Sequence, residues 1–394
     1  MNALALKSGA KIFYTGFGRL ETQIMKVLNI MSRFNVGGTA QWLYQLSKGL
    51  TEREIENKLL VGICPQSEIE DSRIKNLNHK IISGIGPNSS PINTVKSFFE
   101  IRAEIETFNP DIVNTHTSKA GVIGRLAAAT IRPAPKIVHT YHGHVFVGYF
   151  NPLIEFLIKT LERFLSLITD LYLVLGRKVF ADLVHAKILR ENNHFEILPG
   201  VEDFQKMKKS KARQELQIPL NSFVVGWLGR KVPIKRLDRI IDLAKMNSDL
   251  VFLIAGVGTD IKKTFAEKFE SQDISNIVEI DYATPNLIWS ASDVCIITSD
   301  NEGIPTSAIE AALFSLPVVS TEAGSIRDVV EDGVTGYVCK SDLDSLSTAI
   351  RTLRNNSSLT LEMGKKAREV ALTKFSTAAF TNAHINGYML ALQK

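Results

Sequence analysis

Short apolar, β-branched runs alternate with segments of helical spacing along the whole chain. In the first half, VLNIMSRF (27–34), NKLLVGIC (57–64), HKIISG (79–84), DIVNTH (111–116), KIVHTYH (136–142) and LYLVLG (171–176) read as strands. TAQWLYQLSKGL (39–50) and SPINTVKSFFEIRAEIETF (90–108), lying between them, read as helices. The second half repeats the scheme with FVVGWLG (223–229), DLVFLIAG (249–256), IVEIDY (277–282), DVCIIT (293–298), LPVVST (316–321) and TGYVCK (335–340). Continuous apolar strands separated by amphipathic helices predict parallel sheets covered on both faces. The fold class is therefore α/β, with two doubly wound Rossmann-like domains facing across a cleft.

The 394 residues suit two domains of about 150–200 residues each. A boundary near Gly200–Glu202, after the EILPG turn, gives a first domain at 25–200 and a second at 201–374. The segment 375–394 reads as a C-terminal helix. Residues 1–24 read as an extension ahead of a natural strand start at Met25, without the apolar core of a signal peptide.

Composition narrows the classes. Three cysteines, Cys64, Cys295 and Cys339, lie far apart, which disfavours a disulfide framework or a zinc site and fits a reducing cytosol. The formal charge is +5, with 23 Lys and Arg against 17 Asp and Glu in residues 1–200, and 23 against 24 beyond. A basic first half favours an anionic partner: a phosphorylated lipid, a bilayer surface or a nucleic acid. The uncharged stretch 137–154 contains three histidines, two glycines and a proline, unlike a spanning helix.

In open parallel sheets ligands bind beyond the carboxyl ends of strands, and five motifs fall there. Gly37-Gly38 opens a helix after the first strand, where missing side chains let backbone N–H groups approach a phosphate or hydroxyl. Gly229 to Arg236 ends a second-domain strand, and its Arg230 and Lys235 suit the anionic groups of a ligand. Gly256-Val257-Gly258 is half a dinucleotide fingerprint. Thr140-Tyr141-His142-Gly143-His144 and His116 put histidines at successive strand ends, with spacing unlike a zinc signature. In SDNEGIPTSAIE, Glu302 and Glu310 would lie about 80° apart on one continuous helix. Pro305 instead predicts a helix start, leaving Glu302 in the loop before it and Glu310 in the second turn. The N–H groups of Thr306 and Ser307 are then free for an anionic group.

Together GGTAQWLYQLSKGL, HTSKAGVIGRLAA, HTYHGHVFVGYF, GWLGRKVPIKRLD and SDNEGIPTSAIEAALFSLPVVST resemble glycosyltransferase family 4, retaining enzymes of the GT-B fold. The similarity runs from about Met25 to the C-terminal helix. It implies a nucleotide-sugar donor, by family habit a UDP-sugar, bound mainly by the second domain. It also implies a saccharide or lipid-linked acceptor on the first, and a last helix that crosses back to it. Matched position by position, the resemblance assigns Glu310 to the ribose, Glu302 to the sugar, and Gly303, Ile304, Pro305 and Thr306 to the backbone turn around them. Arg230 and Lys235 match the pair on the diphosphate, His142 the histidine facing the reacting sugar, and Gly37-Gly38 the phosphate-side loop; Gly256 is placed in the pocket wall. It further implies no metal and no cofactor beyond the donor, and Asp342-Leu343-Asp344 reads as a helix start. The HTSKAG and HGHVFVGYF segments resemble the branch that builds bacterial surface polysaccharides. This points to a cytoplasmic protein, with peripheral contact at the inner membrane face through the basic first domain, Val145–Arg163 in particular, and no nucleic acid. The readings left beside this one are a GT-B sugar-nucleotide epimerase, an NAD-dependent Rossmann oxidoreductase and a periplasmic-type binding protein.

Overall fold

The computed structural model describes residues 10–14, 20–143, 152–189, 192–256, 274–281 and 284–394. It divides into two compact units, Met1–Gly200 with Thr377–Lys394, and Val201–Ser376.

The first unit opens with a hairpin, β1 (Ala10–Tyr14) paired antiparallel with β2 (Leu20–Ile24), which forms a sheet of its own. Residues 10–14 and 20–24 are thus paired strands where the sequence reading saw only an extension. Seven parallel strands follow: β3 (Lys26–Met31), β4 (Glu56–Val61), β5 (His79–Ile81), β6 (Ile112–His116), β7 (Lys136–Tyr141), β8 (Leu171–Leu175) and β9 (His194–Ile197). Their spatial order is β5-β4-β3-β6-β7-β8-β9. Every residue of β6 and β8 is buried, as a strand covered on both faces requires. The crossovers include α1 (Gly38–Thr51), α2 (Pro91–Phe108), α3 (Ser118–Ala129), α4 (Pro152–Leu165) and α5 (Arg177–His185). Local chemistry sets the limits of α2: Ser90 Oγ accepts from Asn93 N, Pro91 occupies the first turn, and Asn109 closes it in the left-handed region.

The second unit contains α6 (Lys209–Glu215), β10 (Val224–Leu228), α7 (Leu237–Met246), β11 (Val251–Ala255), β12 (Ile277–Ile280) and α8 (Pro285–Ala291). It continues with β13 (Val294–Ile297), α9 (Thr306–Leu313), β14 (Val318–Thr321), β15 (Gly336–Cys339), α10 (Leu343–Asn355) and α11 (Ser357–Lys374). Its six parallel strands run β12-β11-β10-β13-β14-β15. One side of this sheet packs Trp227, Phe252, Ile254 and Ile296 against Leu243, Ile350 and Leu353 of the covering helices. The last helix, α12 (Thr377–Leu392), belongs to the first unit, where it packs on α1 and on β7, β8 and β9.

Both sheets reverse their winding once, between β3 and β6 in the first and between β10 and β13 in the second. At such a switch point two loops part in opposite directions and leave a crevice beyond the strand ends.

Candidate functional site

In the second unit the switch point is built by the loops after β10 and β13. Thr298 Oγ1 donates to Lys235 O at 2.8 Å, Arg239 Nη1 to Thr298 O at 2.7 Å, and Asp300 N to Ile234 O at 3.0 Å. This lacing fixes the Lys235 backbone, and the Lys235 ammonium forms an ion pair with Glu302 Oε1. Ser299 Oγ donates to the same oxygen at 2.6 Å. Glu302 is thus held by a cation and a hydroxyl, with a side chain only 12% exposed. Arg230, two residues into the same loop, is exposed, and its guanidinium has no protein partner among the described residues. Its neighbour Lys231 is the opposite case, with a side chain buried completely against Glu279 at 2.6 Å and Asp281 at 3.1 Å.

Two glycines have packing reasons of their own. Gly324 has φ +60°, and a Cβ there would stand 1.7 Å from Glu302 O, so the loop after β14 presses on the Glu302 backbone. The same loop donates Ser325 N to Gly303 O at 3.1 Å. Gly256 has φ +144° and a Cβ position 1.7 Å from Gly229 O. It lets two strand ends touch, which accounts for its identity without a ligand. Val257 and Gly258, the rest of that half-fingerprint, lie outside the described residues, as do Tyr282 and Ala283 after Asp281.

Helix α9 starts at Thr306 with Pro305 as its cap, so Glu302 lies in the loop and Glu310 in the second turn. Ile304 and Pro305 are buried, and the N–H groups of Thr306 and Ser307 have no partner among the described residues. Glu310 is buried, and its carboxylate has one long hydrogen bond, from Trp289 Nε1 at 3.4 Å. Burial pushes its carboxyl up to about 7, with the Trp289 N–H opposing. A carboxylate in this state is short of donors.

In the first unit the motifs meet around α1. Gly37 is extended at φ 162°, and a Cβ on Gly38 would meet nothing within 4 Å. Neither the backbone conformation nor the packing requires glycine at position 38. Trp42, one turn into α1, sets its ring edge-on to His142, with centroids 5.1 Å apart, and packs on Phe380 of α12. His142 Nε2 lies 2.9 Å from His116 Nδ1, so the two strand-end histidines of the sequence reading are one unit. Burial lowers His142 to about 3 and His384, the nearest histidine of α12, to about 4, which keeps both neutral at physiological pH. His144 lies outside the described residues.

The structure brings Lys235 to Glu302, His142 to His116 and Gly256 to Gly229, while Arg230 contacts none of them. Sequence reading missed Asn29, Ser299, Trp289, Gly324 and Lys231. Ser299 was within sight, three residues before Glu302; Trp289 carries no local signal of its carboxylate partner 21 residues on. Asp342 caps α10 by accepting from Ser345 N, as its position suggested. Among the described residues no group of three His, Cys, Asp or Glu side chains has metal-site geometry.

Two family descriptions match this chain in tandem: Glycosyltransferase Family 4 over residues 36–202 and Glycosyl transferases group 1 over residues 208–370. The chain belongs to glycosyltransferase family 4. Each half of the transferase matches its own description, and the two meet at the boundary between the units. Similar curated proteins include the UDP-Gal:alpha-D-GlcNAc-diphosphoundecaprenol alpha-1,3-galactosyltransferase of Escherichia coli, 25% identical over 304 residues, covering 73% of this chain and 78% of the relative. The capsular polysaccharide biosynthesis glycosyltransferase CapM of Staphylococcus aureus is 25% identical over 354 residues, 79% of this chain and 90% of its own. Among solved structures, Anabaena HepE in complex with UDP-glucose superposes with a TM-score of 0.75 at 19% identity, covering 92% of this chain and 98% of that one. A glycosyltransferase from Rickettsia africae gives 0.79 at 15% identity, covering 94% and 100%. The fold of the transferase is GT-B.

Proposed function

We propose that the transferase moves a sugar from a nucleotide-sugar donor, most readily a UDP-sugar, to a saccharide or lipid-linked acceptor in the assembly of a bacterial surface polysaccharide, with retention and without a metal. The observation that carries the reading is Glu310, a buried carboxylate with a single long hydrogen bond among the described residues, one helical turn beyond backbone N–H groups that have no partner among them. Two vicinal ribose hydroxyls supply the donors it lacks. Lys235 and Arg230 sit at the same switch point and compensate a diphosphate as it departs, a form of charge stabilisation that requires no carboxylate-bound ion. The Lys235–Glu302 pair holds Glu302 where it accepts from a sugar hydroxyl. The leaving phosphate then assists deprotonation of the acceptor, so neither Glu302 nor Glu310 is assigned a nucleophilic role. Gly37, Gly38 and His142 are assigned to the phosphate side and the reacting sugar.

The complex of HepE with UDP-glucose and the GlcNAc-diphosphoundecaprenol named for the E. coli galactosyltransferase support the donor and acceptor classes. The surface of α4 supports contact with a membrane. Leu153, Ile154, Phe156, Leu157, Leu161 and Phe164 are all exposed, Phe164 to 66%. Its four charges are turned aside: Glu155 pairs with Lys159, Glu162 with buried Arg125, and Arg163 donates to Ala186 O. A helix whose exposed positions are apolar, on a unit of net positive charge, fits an anionic bilayer surface. No described helix is long and apolar enough to cross a membrane; the contact in this reading is peripheral, at the cytoplasmic face. Residues 145–151 of the proposed membrane stretch lie outside the described residues.

The test is incubation with UDP-, GDP- and ADP-sugars and a membrane lipid extract, with mass spectrometry of products. A glycosylated lipid or saccharide formed from one of the UDP-sugars supports the reading. Conversion of donor without acceptor rejects transfer.

A further inference from the structure

A directed chain of hydrogen bonds runs across three neighbouring strands of the first unit. Asn29 lies on β3, His116 closes β6, and His142 follows β7. Asn29 Oδ1 stands 3.2 Å from His116 Nε2, and His116 Nδ1 stands 2.9 Å from His142 Nε2. An amide oxygen only accepts, so His116 carries its proton on Nε2. A neutral imidazole has one N–H, so His116 Nδ1 is a lone pair and must accept, and His142 must donate from Nε2. His142 Nδ1 is then a lone pair as well, with no protein partner among the described residues.

The surroundings hold both rings neutral. His116 is fully buried, His142 packs against Trp42, and the other titratable groups coupled to the two rings are His384 of α12 and His139 of β7, itself kept neutral by burial. His384 donates its own Nδ1–H to Phe380 O at 2.9 Å, and so offers the pair no proton. No carboxylate is among the groups acting on either ring.

We propose that Asn29 and His116 are positioning residues that hold His142 in its Nε2–H tautomer, and so present His142 Nδ1 as the hydrogen-bond acceptor for a hydroxyl of the bound sugar. The role toward the sugar rests on the assignment of His142 made above; the tautomer does not. The arrangement makes this position of the site select for a hydroxyl. A donor deoxygenated there leaves Nδ1 unpaired and reacts more slowly, by about tenfold or more.

The experiment is a long-range proton–nitrogen correlation spectrum of the full chain labelled with 15N in its eight histidines. The His142 signals are identified by their loss in His142→Gln. The proton is expected on Nε2 with Nδ1 bare. A proton on Nδ1, or averaging between the two forms, overturns the proposal, and this arm needs neither substrate nor a variant at His116. His116→Asn keeps an acceptor near the place of Nδ1, and is expected to keep the tautomer and kcat to within about threefold. His116→Phe removes the acceptor, releases His142 to both tautomers, and lowers kcat at saturating donor about tenfold or more. An unchanged kcat in His116→Phe, or one tautomer still, also overturns it. Should His116→Phe fail to fold, the spectrum of the unaltered chain decides. Failure to transfer any sugar would count against the functional reading and would appear separately from the spectrum.

Discussion

Glu310→Gln should separate stability from binding. The Glu310 carboxyl titrates at about 7 in the folded chain against 4.5 for an ordinary glutamate, because burial disfavours its charge. A carboxyl raised in this way stabilises the fold fully below its unfolded value and loses that contribution as pH rises through the folded one. Between pH 4.5 and 7 the unfolded chain ionises freely while the folded chain resists. The difference of two to three pH units corresponds to about 3 kcal/mol by pH 8. Glutamine does not ionise, so Glu310→Gln should stabilise the second unit at pH 8 and leave it little changed at pH 4.5. For a unit of this size that is a rise in Tm of about 6–12 °C at pH 8. UDP binding moves the other way. The variant offers the ribose one amide oxygen in place of two charged ones, so affinity at pH 8 should fall about 10–100-fold. In the unaltered chain UDP affinity should rise from pH 6 to pH 8, with proton release near pH 7 that disappears in the variant. Differential scanning calorimetry and titration calorimetry in two buffers read these quantities. Equal stabilisation at both pH values, or equal UDP binding by both proteins, would refute the reasoning.

Lys235→Ala should lower turnover at saturating donor by about 10²–10³, measured by UDP release; an unchanged rate constant removes its role at the departing diphosphate. Gly38→Val should leave Tm within about 2 °C, since its Cβ meets open space, while transfer is lost. Gly256→Ala should instead destabilise by about 3 kcal/mol or more, since its Cβ would collide with Gly229 O; chemical denaturation compares the two. Replacing Phe156, Leu157 and Phe164 together by Ser should abolish sedimentation with anionic vesicles at unchanged stability; retained binding would remove α4 from the membrane face.

The fold was largely legible because buried parallel strands announce themselves as short apolar runs. All twelve runs named from the sequence contain observed strands. β9, His194–Ile197, escaped because only Ile197 is fully buried and the segment has no continuous apolar character. The strands β1 and β2, read as part of an extension, pair only with each other among the described residues. Local chemistry at Pro305 was enough to locate the start of α9 and to separate Glu302 from Glu310. What stayed hidden were contacts that exist only once strand order is set. Lys235 meets Glu302 across 67 residues, and Asn29 meets His116 across 87. Both pairs lie at a switch point, where sequence distance and spatial distance part most widely.

The central claim is transfer from a UDP-sugar through the second-unit site of Lys235, Glu302 and Glu310. It is tested most directly by following UDP release and acceptor glycosylation together, for the unaltered chain and for Lys235→Ala, with a UDP-sugar and lipid extract. The expected result is one UDP for each glycosylated acceptor, and loss of both signals in the variant. UDP-sugar converted without acceptor, or equal transfer by both proteins, would contradict the account.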